Sequence, residues 1–161
     1  MVIYAIDPAL YHIGIVRVDT EKQNIKFDIL NLKQRDDLAD LYKELRLKYK
    51  NSLLDGNFYF IEDVVFYPIR SRKAQAQVWA SIAILLSLLP SSAGYLLVSP
   101  HKVKKLVYDC DKLKKFLNTY NLIFKSEEIE HVVDAFRVLL VGLNETKNEK
   151  VVDVLKIYEL I

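Results

Sequence analysis

Val2-Ile3-Tyr4-Ala5-Ile6-Asp7-Pro8 is the stretch on which the reading of this chain turns. β-Branched and aromatic residues in a run of this length make a buried strand, and the proline ends it because it lacks the N–H that a ladder needs. Asp7 therefore stands at a strand's C-terminal end. Open α/β sheets collect their active sites at such ends, so Asp7 is a candidate metal ligand, with a plain Asp-Pro turn as the alternative for this residue taken alone. Phe58-Tyr59-Phe60-Ile61 is a second buried-strand run, and it leads into Glu62 and Asp63. Two strands thus deliver carboxylates.

A third acidic position lies in the segment from Ser126 to Val141, whose apolar spacing is helical and for which Ser126 is the expected N-cap. On that helix His131 and Asp134 are three residues apart and share a face. Favourable charge at the start of a helix dipole accounts for Glu127 and Glu128. It accounts poorly for Asp134, which an almost wholly apolar stretch follows and which is therefore placed beside the core, where a charge needs a partner or a metal.

The remaining elements build an α/β architecture around these positions. His12 to Asp19 and Asn24 to Leu32 read as strands around Thr20-Glu21-Lys22-Gln23, which gives an antiparallel meander with the first strand. Asp36 to Lys50 carries Leu38, Leu41, Tyr42, Leu45 and Tyr49 at helical spacing and is expected to cover one sheet face. A helix from about Ser71 to Leu89 and a strand from Tyr95 to Val98, parallel to its neighbour, are expected next. Asn148 to Leu160 reads as an amphipathic packing helix.

Strand-end Asp, central-strand Glu and a late helical acidic pair make the chain similar to the ribonuclease-H-like nucleases, and specifically to the RuvC-type Holliday-junction resolvases. Ile6-Asp7-Pro8 through Gly14 resembles that family's first-strand motif, and Ile61-Glu62-Asp63-Val64-Val65-Phe66-Tyr67 its Glu-bearing strand with the aromatic segment behind it. Ser99-Pro100-His101-Lys102-Val103-Lys104-Lys105 resembles its Pro-x-x-Val-Lys segment, and His131-x-x-Asp134-Ala135 its closing acidic motif. The order fits across roughly residues 2 to 142. Ala9 stands where the family usually has Gly, His131 where many members have Asp, and Tyr108-Asp109-Cys110-Asp111 replaces a Gly-rich turn.

The resemblance implies a five-stranded mixed sheet, an antiparallel meander plus parallel strands, with helices on both faces. Residues 1–161 are expected to form a single nuclease domain with an additional C-terminal helix at about 148–160. It further implies a Mg²⁺-dependent endonuclease that cuts four-way DNA junctions, with two ions, Mn²⁺ tolerated, held by Asp7, Glu62, His131 and Asp134. Lys112 or a neighbour is expected beside the scissile phosphate. Phe66 and Tyr67 precede Arg70, Arg72 and Lys73, and an aromatic residue at this point in the family wedges into the junction. A nuclease acting on other DNA or RNA structures, or a catalytically silent DNA-structure-binding module, are the alternative readings.

Charge distribution agrees with a nucleic-acid partner although the net charge is only +2. Lys102, Lys104, Lys105, Lys112, Lys114 and Lys115 crowd one segment, and Arg70, Arg72 and Lys73 another, where they can neutralise phosphates. The helix after Glu62 carries Val78, Trp79, Ile82, Ala83, Leu85, Leu86 and Leu89, more apolar surface than one sheet face needs. Burial in the core is one reading of that face; the resemblance implies a homodimer, with Ile82 and Leu86 in its interface, since two-fold protein symmetry suits a two-fold junction.

Hydrophobic content of 52% over 161 residues supports a proper core, and no Pro/Gly/Ser-rich linker divides it. Val78 to Leu89 is too short to span a membrane, and the amino terminus lacks the basic start of a signal peptide. The one cysteine, Cys110, excludes an internal disulfide and fits a reducing compartment. An intracellular location, cytoplasmic or nucleoid-associated, is expected, and a cellular, viral or organellar source would suit it.

Overall fold

A computed structural model describes residues 1–9, 11–34, 37–64 and 72–161. Strands β1 (Val2–Asp7), β2 (His12–Asp19) and β3 (Asn24–Asn31) precede helix α1 (Leu38–Ser52), strand β4 (Phe58–Glu62), helix α2 (Arg72–Leu88) and strand β5 (Gly94–Val98). Helices α3 (Pro100–Lys105), α4 (Cys110–Thr119), α5 (Ser126–Thr146) and α6 (Glu149–Ile157) follow. The strands form one sheet in the order β3-β2-β1-β4-β5. β1, β2 and β3 are antiparallel, whereas β4 runs parallel to β1 and β5 parallel to β4.

Side-chain alternation splits the core into two layers. Tyr4, Ile6, Tyr59 and Ile61 pack with Leu41, Leu45 and Tyr49 of α1 and with Ile82 and Leu85 of α2. A hydrogen bond of 2.7 Å between the Tyr49 hydroxyl and Ser81 Oγ joins those two helices. Ile3, Ala5 and Phe60 point the other way, into a core shared with α4, α5 and α6. Because the strand period is two, Asp7 follows Ile3 and Ala5 onto that second face, and Glu62 follows Phe60.

Helix α5 packs across β1 and β2, and Gly14 sets how closely. A Cβ at Gly14 would lie 2.0 Å from the carbonyl oxygen of His131, a backbone atom on α5. Gly14 pairs with Asp7 in the ladder. The missing side chain therefore brings the His131 turn down onto the strand end.

Three local details differ from expectation. Lys125, and not Ser126, is the N-cap of α5. The reason is Glu128, whose Oε2 accepts from the Lys125 backbone N–H and whose Oε1 accepts from Asn31 Nδ2, both at 2.8 Å. One carboxylate thus caps the helix and ties it to β3. Asp37 caps α1 by accepting from the Ala39 N–H at 2.8 Å, while Asp36 and Ser71, the expected first residues of α1 and α2, lie outside the described residues. Ile82 is wholly buried under α1 and belongs to the core, whereas Trp79 is 44% exposed. The apolar excess on α2 is thus carried by Trp79 and the exposed Ala83.

Candidate active site

Asp7 and Glu62 end neighbouring parallel strands, and the register that pairs Ile6 with Ile61 puts the two carboxylates side by side. Above them α5 supplies His131 and Asp134, one helical turn apart and on the face turned to the sheet. The His131 ring donates from Nδ1 to Asp7 Oδ2 at 2.7 Å. Asp134 Oδ1 accepts from Arg137 Nη1 at 2.9 Å. All four residues expected to share a site therefore meet.

Electrostatics bind the group together. Burial pushes the Glu62 carboxyl up to about 8, reinforced by the charge of Asp7, a hydrogen bond with Asp7 and the charge of Asp134, while Lys104 opposes the shift. Glu62 thus favours its protonated form near neutral pH and is hydrogen-bonded with Asp7. The hydrogen bond to Asp7 is the main cause that raises the His131 pKa, against the effect of burial. Asp134 is raised chiefly by burial and also by Asp7, with Arg137 pulling it down. Like charges confined in a half-buried site disfavour full ionisation, and a proton, an imidazole and a guanidinium supply the compensation here.

The donor set suits a hard divalent cation, since it consists of carboxylate oxygens and one imidazole. In the arrangement described, no group of three or more His, Cys, Asp or Glu among the described residues is placed to hold a metal ion as it stands. The reason is visible in the pairs: Asp7 is engaged by His131 and Glu62, and Asp134 by Arg137. Rotation of these side chains and loss of the Glu62 proton would free their oxygens. The chemistry of the donors fits a metal.

The basic residues fall into separate places. Lys104, on α3, is the lysine whose charge reaches Glu62. Lys102 pairs with Glu145 at 2.7 Å, and Lys105 is exposed on the same helix. Lys112, Lys114 and Lys115 are exposed on α4, with Lys114 3.7 Å from Asp111. Arg72 and Lys73 are exposed at the start of α2. Phe66, Tyr67 and Arg70 lie outside the described residues. Arg137 is a member of the site that the sequence reading missed, although its position three residues after Asp134 on a helix was the available signal.

No protein-family model and no curated protein matches the sequence. Among solved structures, the chain is similar to Thermus thermophilus RuvC in complex with Holliday junction substrate, with 15% identity and a TM-score of 0.62 over 91% of this chain and 95% of that one. A second structure of Thermus thermophilus RuvC aligns at 14% identity and a TM-score of 0.60, covering 91% and 97% of the two chains. The fowlpox virus Holliday junction resolvase aligns at 11% identity with a TM-score of 0.49, over 91% and 99%. The chain therefore has the ribonuclease-H-like fold of RuvC, as the motifs implied. Among the described residues, no helix is long and apolar enough to cross a membrane.

Proposed function

We propose that this chain is a divalent-metal-dependent endonuclease that resolves four-way DNA junctions by paired phosphodiester hydrolysis. One observation carries the reading: Asp7 and Glu62, on adjacent parallel strand ends, face His131 and Asp134 on α5, within a fold shared with a RuvC that was solved on a Holliday junction. Asp7, Glu62, Asp134 and His131 would hold the Mg²⁺ or Mn²⁺. The metal supplies Lewis acidity to water and phosphate.

The chain's own residues do the rest. The Asp7–His131 contact fixes the orientation of both groups, and Gly14 sets the depth at which α5 brings them in. Lys104 adds positive charge beside Glu62, where a phosphate would approach. Lys112, the lysine favoured by family resemblance for the scissile phosphate, stands near the start of α4. Lys102, Lys105, Lys114, Lys115, Arg72 and Lys73 would neutralise phosphates of the junction DNA. By the resemblance, Phe66 or Tyr67 would wedge into the junction, and Arg70 would neutralise phosphate. No protein nucleophile is required.

The working form is taken to be a homodimer of single-domain chains, acting inside the cell on branched DNA. The exposed Trp79 and Ala83 on α2 mark the face through which two copies would associate. Incubation with an end-labelled four-way junction, a matched duplex and an RNA–DNA hybrid, with and without Mg²⁺, tests the activity. Paired nicks confined to the junction and dependent on Mg²⁺ are expected. Preferential cutting of the hybrid, or a junction bound but never cut, would replace this reading with one of the two alternatives.

A further inference from the structure

Helix α4 begins at the acidic centre and leads away from it. Arg137, which holds Asp134, also donates from Nη2 to the Sγ of Cys110, the first residue of α4, at 3.5 Å. Ten residues of helix then run about 15 Å outward. Along this path α4 and α6 form a groove of ≈ 630 Å³ that has Lys112 and Lys115 on one wall and Lys156 on the other.

The groove is aromatic between its charges. Phe116, Tyr120 and Tyr158 line it, with ring centres 4.5 Å apart for Phe116–Tyr120 and 6.0 Å for Tyr120–Tyr158. Tyr120 remains 53% exposed. The same three rings line an adjoining hollow of ≈ 380 Å³ that extends to Lys26 on β3. Glu159 is the acidic side chain among those lining the larger groove, against three lysines. Packing explains Phe116, which is 7% exposed. It does not explain an exposed Tyr120 in a groove that three lysines also line.

We propose that this groove is a track for a single DNA strand, entered past Lys112, with a base stacked on Tyr120 and the flanking phosphates at Lys115 and Lys156. Aromatic platforms alternating with cations are how proteins take unpaired strands without reading their sequence, because every base has a π face and every linkage a phosphate. An acidic peptide would satisfy the lysines but leave the ring face without a planar partner. The inference rests on the nuclease reading for the presence of DNA, and it adds the path of a strand leaving the acidic centre.

The test uses a fluorescent oligothymidylate carrying 5-iodouracil, bound to the full chain in chelator so that no cleavage enters the measurement. Anisotropy is expected to report about tenfold weaker binding for Tyr120→Ala than for the wild type. Lys156→Ala should lower the slope of log K against log salt by about 0.7, one phosphate's worth of released counterions on a single strand. Photocrosslinks on the wild-type chain, which need no variant to fold, should fall in the peptides containing Tyr120 or Tyr158. Crosslinks confined to other segments, no binding of the oligonucleotide, or unchanged affinity in Tyr120→Ala would overturn the track. Strand binding in the groove together with an uncut junction would leave the track standing and sink the nuclease reading alone.

Discussion

His131 Nδ1 lies 2.7 Å from Asp7 Oδ2, a contact between a strand and a helix whose residues are 124 positions apart. This bond makes one electrostatic unit of two motifs. Asp7→Asn preserves the shape but removes the charge that would balance a cation, so junction cleavage should fall by more than about a hundredfold, beyond what loss of an outer-shell partner costs a metal site. Junction binding should persist in a gel-shift assay. Cleavage near the wild-type rate would remove Asp7 from the metal site, and Glu62→Gln is expected to behave like Asp7→Asn. His131→Asp, which installs the commoner family residue, should keep activity.

Stability in chelator should fall as pH rises. Glu62 is raised from its ordinary 4.5 to about 8, so the unfolded chain loses this proton first and folding becomes less favourable across that window. His131 is also raised above its ordinary 6.5, and the stability it contributes is complete below 6.5 and lost above it. The two effects share a sign. Glu128 is lowered by its hydrogen bonds from Lys125 and Asn31 and acts below 4.5, outside this window. The melting temperature should therefore decline from pH 5 to pH 9, and more shallowly in Glu62→Gln. An identical slope in the variant would show that Glu62 does not carry the proton.

Mg²⁺ should reverse part of that decline. In the proposed site, binding would require Glu62 to give up its proton, and metal binding that releases protons strengthens with pH. The rise in melting temperature on adding Mg²⁺ should accordingly be larger at pH 8.5 than at pH 6. Calorimetry in buffers of different ionisation enthalpy would count the proton released, and a count of zero would contradict the assignment.

Gly14→Ala should displace α5. The new Cβ, fixed in place by its own backbone, would meet the His131 backbone carbonyl oxygen at 2.0 Å, and neither atom can rotate aside. Overpacking of a tight core commonly costs about 1–3 kcal/mol, and a backbone clash sits at or beyond the upper end. Denaturant titration should show that loss, and cleavage should fall with it because His131 and Asp134 move together. A variant of wild-type stability would mean that the helix and strand are less closely held than the structure has them.

Trp79→Glu should convert the proposed homodimer to monomers without lowering the melting temperature by much, because the ring is 44% exposed. Ile82→Glu is expected to unfold the chain instead, since its side chain is 0% exposed and a buried unpaired charge costs several kcal/mol. Light scattering on both variants separates an interface from core. An unchanged dimer in Trp79→Glu would place the interface elsewhere.

Much of this molecule is legible in its linear pattern. A run of β-branched and aromatic residues ended by Pro8 marks β1 from Val2 to Asp7 and places Asp7 at its end, and the polar turn that follows closes β2 at Asp19. The spacing of His131 and Asp134 puts them on one face of α5. These are local properties, dictated by a period of two or 3.6 and by where proline breaks a ladder. What stands opposite a residue is different in kind. That Asp7 meets His131, that Arg137 takes Asp134, that Glu128 reaches back to Asn31 and that Ile82 is core while Trp79 is surface depend on strand order and helix docking. The sheet order β3-β2-β1-β4-β5 brings Asp7 and Glu62 side by side, and the close seating of α5 over Gly14 brings the helix to them. Sequence determined which side chains face the same way; the tertiary packing decided which of them touch, because contact depends on register and approach distance, which no single segment contains.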